Sequence, residues 1–565
     1  MKNSWVGVGA VFGRRSFSVS FLSRRHFLRY WGLFSICLAL VVSCGSPRTT
    51  TTTTTGTASP IAASEGGRVT MGTTLEARTL DPADAYEIFP GILLSNLGDR
   101  LYTYKPGTTE LTPQLATAMP TVSDDGLTYT IPMREGVKFH DGEPLNAEAM
   151  AFSLKRFMEN GGRPAFLLSD RIESVEASGE TELTITLKEP FAAFPALLAF
   201  SGATPVSPKA YQIGSGQFQP NSFVGTGPYK LAQFSPDTIR LDANPDYWGD
   251  QPANEGVDIQ LIASSANLYN TFKTGGLDVA YQTLDPDQIR SLVKDAQAGG
   301  WNVIESGSNV VNYLVLNQKS KPLDDVRVRQ ALAAMVNRPL LDERVFQGQA
   351  EALYSLVPTN SSDYKPVFKE AYGDGNMEKA KALLTEAGIS ESNPLTLEIW
   401  YSSSSAKRNL VATTLKAAIE RDMGGMVKIE PKTVEGATLF ENLDKGTYPS
   451  VLLDWYPDYA DADAFIEPFM SCTKGSVAAG CEEGQSQVGG SFYYSPKAND
   501  LIKAQRTEQD AAARKQQFED LQELLAEDVP YIPLWQDKDY VFAKAQVEGV
   551  EIQPSQQFLF GQIKK

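Results

Sequence analysis

Apolar residues fall into two rhythms along this chain. Leu127, Tyr129, Ile131 and Met133 are each separated by one residue, as are Leu183, Ile185 and Leu187, and that period of two predicts half-buried strands. Val411, Leu415, Ala418 and Asp422, with Leu410 and Ile419, form a stripe at helical spacing that Gly424-Gly425 stops. Asn376 is placed to cap a helix running through Leu383 and Leu384 to Gly388. Phe518, Leu521 and Leu525 mark a further helix, closed by Pro530. Strands and helices mix along the whole chain without a short repeat, which predicts α/β or α+β architecture and not a sandwich or a bundle. At 565 residues the chain exceeds the size at which one core stops growing, so more than one domain is expected.

The N-terminus departs from both rhythms and reads as an address. Ser23-Arg24-Arg25-His26-Phe27-Leu28-Arg29 resembles a twin-arginine export signal, although other signals also carry basic n-regions. The apolar run from Trp31 to Val42 is twelve residues long, too short to span a bilayer and right for a signal core. It ends in Val41-Val42-Ser43-Cys44, similar to a bacterial lipobox, which predicts a signal peptide over 1–43 and lipidation of Cys44; a plain secretory signal or a signal anchor is the alternative. Residues 44–67, with seven consecutive threonines from Thr49 to Thr55, are too polar and too simple to bury a core and read as a tether. The expected localisation is therefore outside the cytoplasm, anchored to a membrane by lipid and facing the periplasm or the cell surface.

Composition narrows the chemistry. Hydrophobic residues make up 42% and charged residues 21%, which excludes a mostly disordered chain. The net charge is −17, and losing the six basic residues before Cys44 makes the mature chain more acidic still, so no nucleic-acid partner is expected. Of two histidines, only His140 lies after the signal, in a strand running into the Asp141-Gly142 turn; a buried or turn role fits it, and multi-histidine metal sites are excluded. Asp458, Asp461 and Asp463 have a calcium-like spacing but lack the glycine and distal glutamate of a calcium loop, so no metal is expected. Gly225-Thr226-Gly227-Pro228 reads as a turn, because Pro228 removes an amide donor that a phosphate loop needs. Nothing calls for a cofactor, and no nucleophile–base pair suggests an enzyme. Cys472 and Cys481, nine residues apart in an exported chain, read as a local disulfide; a redox or metal pair lacks the spacing.

Several segments, in collinear order, carry a resemblance. They include Leu111-Thr112-Pro113-Gln114-Leu115-Ala116, Arg134-Glu135-Gly136-Val137-Lys138-Phe139-His140-Asp141-Gly142 and Asn244-Pro245-Asp246-Tyr247-Trp248-Gly249. Further along come Pro322-Leu323-Asp324-Asp325-Val326-Arg327 and Pro530-Tyr531-Ile532-Pro533-Leu534-Trp535. Together they resemble the signature of the family 5 extracytoplasmic solute-binding proteins, the receptors of oligopeptide, dipeptide and nickel ABC importers. The resemblance implies an α/β, two-domain periplasmic-binding-protein-like fold, with a third lobe inserted in the first domain and a hinged ligand cleft. On this chain, domain I would cover 68–308 and 536–565, with the inserted lobe at about 100–223, and domain II would cover 309–535.

The same resemblance implies a function and a site. In the peptide-binding branch an aspartate shortly after a tryptophan grips the peptide ammonium. Trp455-Tyr456-Pro457-Asp458 matches that pattern, with Asp458 as the grip and Trp455 lining the cleft. Trp400 and Tyr401, and Tyr86 and Glu87 after Leu80-Asp81-Pro82, are further cleft candidates, while Trp248 is assigned to structure. The expected partners are a peptide ligand, the transmembrane subunits of an ABC permease and the membrane that holds the anchor, with the chain itself a monomer. Two alternatives stand beside this reading: the same receptor role for a nickel chelate, haem, opine or oligosaccharide, and a surface hydrolase built on the fold.

Overall fold

The computed structural model describes residues 67–565. The predicted signal, Cys44 and the threonine run lie outside them. Among the described residues an eleven-stranded sheet runs through the molecule. Its order is Val427–Val434, Leu395–Ser402, Ser450–Trp455, Trp301–Leu316, Tyr531–Lys544, Val279–Tyr281, Val69–Thr73, Gly256–Leu261, Thr238–Ala243 and Tyr229–Phe234, with Ala350–Ala352 added beside Tyr531–Lys544. The parallel pairs lie toward the two ends, and the long strands Trp301–Leu316 and Tyr531–Lys544 run antiparallel through the middle.

Those two long strands join the two lobes. The first half of Trp301–Leu316 is part-exposed, and from Ser308 onward every residue is buried, as expected for a strand covered on both faces. Their pairing slips register between Gly307 and Val311. Side chains satisfy the backbone there: Gln536 Nε2 donates to the Ser308 carbonyl at 2.7 Å, and Gln536 Oε1 accepts the Thr359 amide at 2.8 Å. Asn309 Nδ2 donates to the Pro554 carbonyl at 2.6 Å, and Asn309 Oδ1 accepts from Asn360 at 2.8 Å.

The buried apolar residues form separate cores, not one. The largest is built between Val311 and Trp535. A second, between Leu101 and Ala203, packs beneath a four-stranded sheet that contains Thr128–Pro132 and Glu182–Leu187. A third joins Val69, Met71 and the helix Ile88–Leu97 to Val541, Phe558 and Phe560 from the C-terminal end. Val206, Tyr211 and Phe223 belong to this third core, so the chain has already left the inserted core by residue 206. A small fourth core surrounds Phe272 and Phe542.

Most of the predicted elements take their expected form. Tyr129, Ile131, Leu183, Ile185 and Leu187 are the buried positions of their strands. Asn376 accepts from the Lys379 amide and caps Met377–Glu386, and Gly388 follows at φ +80°. In the helix Ala406–Met423, Val411, Leu415, Ala418 and Ile419 are buried and Gly424 ends it at φ +59°. Leu410 does not join that stripe: it is exposed, because the one-residue step from Val411 turns it about 100° away. The expected strand before Asp141 is also absent, and only an isolated Lys138–Pro144 bridge forms before the Gly142 turn. His140 Nε2 sits 3.1 Å from the Gly227 carbonyl, and burial lowers the imidazole pKa to about 4, so His140 is a neutral fastener of the 225–228 turn. Among the described residues, no helix is long and apolar enough to cross a membrane, and no group of three or more His, Cys, Asp or Glu is disposed to hold a metal ion.

Candidate functional site

A cavity of about 510 Å³ opens between the lobes, bounded by segments far apart in the chain. One wall is a single helix face: Ile88, Gly91, Ile92 and Ser95 of Ile88–Leu97 recur at i, i+3, i+4 and i+7. Gly91 belongs there because a Cβ would meet Ser201 Oγ at 3.2 Å, where the inserted lobe closes on the helix. The opposite wall is the loop Tyr456–Ala460, which follows the strand Ser450–Trp455. Phe200 and Ser201 come from the inserted lobe, Asn309 from the slipped strand pair, and Gln556 and Gln557 from the C-terminal turn.

Asp458 is the distinctive group in this cavity. It is half-buried, and among the described residues its hydrogen-bond partner is the Tyr86 hydroxyl, which donates to Oδ1 at 2.5 Å from the far lobe. Burial raises its pKa above the ordinary carboxylate range, with the Tyr86 hydrogen bond pulling the other way. Burial also raises the Tyr86 phenol, together with the Asp458 charge, so Tyr86 stays a donor. Tyr86 is held edge-on against Phe166 at 6.0 Å. Among the described residues no cation pairs with Asp458. A desolvated carboxylate without a cation is the complement of a ligand that brings one.

The other acidic candidate is occupied. Glu87 precedes the helix Ile88–Leu97, and its Oε1 accepts from Arg78 at 3.1 Å and Arg163 at 2.9 Å. Burial pushes its pKa up, but Arg78 and the Tyr86 amide hold it below the usual value. Tyr456 lines the cavity with its phenol raised by burial and by the charges of Asp539 and Asp537. Asp539 itself lies on the long strand Tyr531–Lys544, where burial and neighbouring Asp537 push it up to about 7.

Of the residues singled out from sequence, the structure brings Tyr86, Glu87, Tyr456 and Asp458 to the cavity and leaves three away from it. Trp455 faces the core: its Nε1 donates to the Ala464 carbonyl at 2.7 Å and its ring packs edge-on to Phe469. Strand alternation explains this, because Leu453 and Trp455 share the inner face while Asp454 is exposed and Tyr456 turns into the cavity. Trp400 packs on Tyr448 and donates to Glu398 at 2.9 Å, and Tyr401 is buried in the largest core. Both are aromatics of domain packing, not of the cavity. Trp248 donates to buried Asp99 at 2.9 Å under the Arg134 guanidinium. Cys472 and Cys481 are joined by a disulfide across the small hairpin Lys474–Glu483, with Cα atoms 5.7 Å apart. Sequence reading missed Tyr104, Asn309, Tyr459 and Gln556, which come from segments far apart in the chain and meet only through topology.

Comparison with known proteins agrees with this architecture. Residues 110–477 match the bacterial extracellular solute-binding proteins, family 5 middle region. The dipeptide-binding protein of Escherichia coli K12 is 28% identical over 484 residues, covering 81% of this chain and 87% of that one. Di/tripeptide-binding protein 2 of Pseudomonas aeruginosa is 26% identical, covering 83% and 89%. Among solved structures, HbpA2 from Haemophilus parasuis superposes with a TM-score of 0.76 at 24% identity, over 88% of this chain and 99% of its own. A match over more than half the chain, in a two-lobed fold with a cavity between the lobes, makes this protein a member of family 5 of the bacterial extracellular solute-binding proteins.

Proposed function

We propose that this chain is the receptor of an ABC importer that captures peptides outside the cytoplasmic membrane and delivers them to the permease. The observation that carries this reading is Asp458, a half-buried carboxylate in the inter-lobe cavity with a hydroxyl and, among the described residues, no cation as its partner. A peptide ammonium supplies the missing charge. Desolvation by the surrounding aromatic and apolar walls then strengthens that pairing relative to water. The names of the two curated relatives, for dipeptides and for di- and tripeptides, support the same ligand class.

Delivery requires that the liganded form differ from the free one. Among the described residues the two long strands link the two halves of the sheet, and their register slips between Gly307 and Val311. In this reading the lobes hinge there, and ligand shifts the population toward the closed form by contacting both sides. The Cys44 thiol carries the lipid that holds the receptor at the membrane, where the permease subunits bind it as a monomer. Fatty-acid labelling of wild type and not of Cys44→Ala is the expected result for the anchor.

The ligand class is tested by calorimetry on the soluble chain with a free tripeptide and the same tripeptide N-acetylated. The expected result is binding of the free peptide and at least about thirtyfold weaker binding of the acetylated one. Equal binding of the two would transfer the receptor role to a solute without an ammonium.

A further inference from the structure

Within the peptide-receptor reading, Asp458 holds one end of the ligand and leaves open what holds the rest. Among the described residues lining the cavity there is no lysine, arginine or histidine. Arg78 and Arg163, next to that lining, are committed to Glu87. A ligand carboxylate drawn inside would be buried without a cation in a space that already holds Asp458, an arrangement proteins avoid. The second anchor in this cavity is therefore neutral.

Gln556 has the properties of such an anchor. It lines the cavity, and the nitrogen of its side-chain amide is buried with no acceptor in reach among the described residues. Buried amide donors are nearly always paired, so an unpaired one beside a cavity gains a hydrogen bond when a side-chain rotation brings it to an acceptor there. Its backbone stands at φ +65°, in the left-handed region that a residue with a side chain enters only when its surroundings force it. The forcing contacts are visible. The Gln556 amide closes a turn onto the Gln553 carbonyl at 2.9 Å, and Asn309 grips the Pro554 carbonyl at 2.6 Å. The Gln553 side chain accepts the Gly107 amide at 2.6 Å, which ties the turn to the hairpin of the inserted core. The turn is thus fastened to the hinge strand and to the inserted lobe, and Gln556 is presented from a fixed base.

We infer that Gln556 is the second ligand anchor, its amide donating to a main-chain carbonyl of a peptide whose ammonium sits at Asp458, with the peptide carboxylate left outside the cavity. The substrate class is then peptides with a free amino terminus whose carboxyl end is not read. C-terminally amidated peptides, and peptides long enough to extend from the cavity, are equally acceptable.

The test uses calorimetry with trialanine, its C-terminal amide, and two analogues in which each peptide carbonyl in turn is a thiocarbonyl, a weaker acceptor of similar shape. Wild type, Gln556→Leu and Gln556→Glu are compared, with thermal melts showing that the variants fold. The expected results are equal affinity of wild type for acid and amide within about twofold, and a loss of about five- to thirtyfold in Gln556→Leu. Gln556→Glu, which keeps the shape but can only accept, should lose at least as much. One thiocarbonyl analogue should bind wild type more weakly and Gln556→Leu no more weakly than the parent peptide, because both changes remove a single interaction. Unchanged affinity in both Gln556 variants, or a tenfold loss on amidation in wild type, overturns the inference while leaving the peptide reading intact. No binding of trialanine or its amide to wild type overturns the peptide reading itself, and the inference with it.

Discussion

The loop after Trp455 carries Asp458, Asp461 and Asp463, and its two ends live in different chemistry. At the inner end Asp463 is fully buried and surrounded by donors: Arg506 at 2.8 and 3.0 Å, the Tyr459 hydroxyl at 2.8 Å, and the Gln505 amide. Burial pushes its pKa up, and the Arg506 charge more than reverses that, leaving it low. Asp461 is held by both terminal nitrogens of Arg514 at 2.7 Å. Deep in the first lobe, Asp81 is gripped the same way by Arg156, at 2.6 and 2.8 Å. Asp458, three residues before Asp461, has a hydroxyl and, among the described residues, nothing cationic. At these three places a buried carboxylate that serves structure is paired with an arginine, and buried Asp99 is instead saturated by neutral donors from Gln114, Thr226, Tyr247 and Trp248. Asp458 has neither an arginine nor such a set of donors among the described residues, and that vacancy is what a ligand can fill.

Four substitutions separate the two situations, and the largest effect belongs to the structural end. Arg506→Leu leaves Asp463 buried without its cation and removes the guanidinium stacked over Phe191. A loss of about 3–5 kcal/mol in unfolding free energy is expected from denaturant titration. Asp458→Asn reverses the pattern: ligand affinity falls by about 2–5 kcal/mol, while stability at neutral pH holds or rises, because a desolvated charge has been removed. Equal losses of stability in both variants would erase the distinction.

Asp539 extends the comparison to pH. Its pKa is raised to about 7, mainly by burial and then by Asp537, against the opposing pull of Lys407. An acid with a raised native pKa is bound to its proton more tightly in the folded state. Stability is therefore undiminished below the unfolded value of about 4 and falls as pH rises toward 7. Asp539→Asn should then stabilise by about 1–2 kcal/mol at pH 8, a figure reduced for partial exposure, and by nothing at pH 4. A gain of the same size at both pH values would show that charge is not the cause. Tyr86→Phe carries the smallest effect. It removes the hydroxyl that a ligand ammonium displaces from Asp458, so affinity should improve by about two- to fivefold in calorimetry, and a tenfold loss would mean that hydroxyl and ammonium share the carboxylate.

How much of this was legible in the chain depended on periodicity. Strands over 127–133 and 183–187, the Asn376 cap and the stop at Gly424 follow from local rules that the fold does not override. Asp458 was legible because of its place in a recognisable motif, and Tyr86 and Glu87 because they follow Leu80-Asp81-Pro82. Trp455 was misassigned because tryptophan suits a cleft equally well by composition, and only the strand phase set by Leu453 and Asp454 sends it inward. That Glu87 would be neutralised and Asp458 left bare was not readable, since Arg163 reaches Glu87 from 76 residues away. Gln556 was invisible for the same reason. Its role depends on a turn held by Asn309 and Gly107, contacts made across 245 and 446 residues of chain.

The central claim is that Asp458 and the ligand ammonium form one interaction across the cavity. Calorimetry on wild type and Asp458→Asn, each with free and N-acetylated tripeptide, measures it as a complete cycle. The predicted result is a large loss for either change alone and little further loss for both together, a coupling of about 2–5 kcal/mol. Losses that simply add, or an Asp458→Asn protein that binds the free peptide as tightly as wild type, would contradict the account.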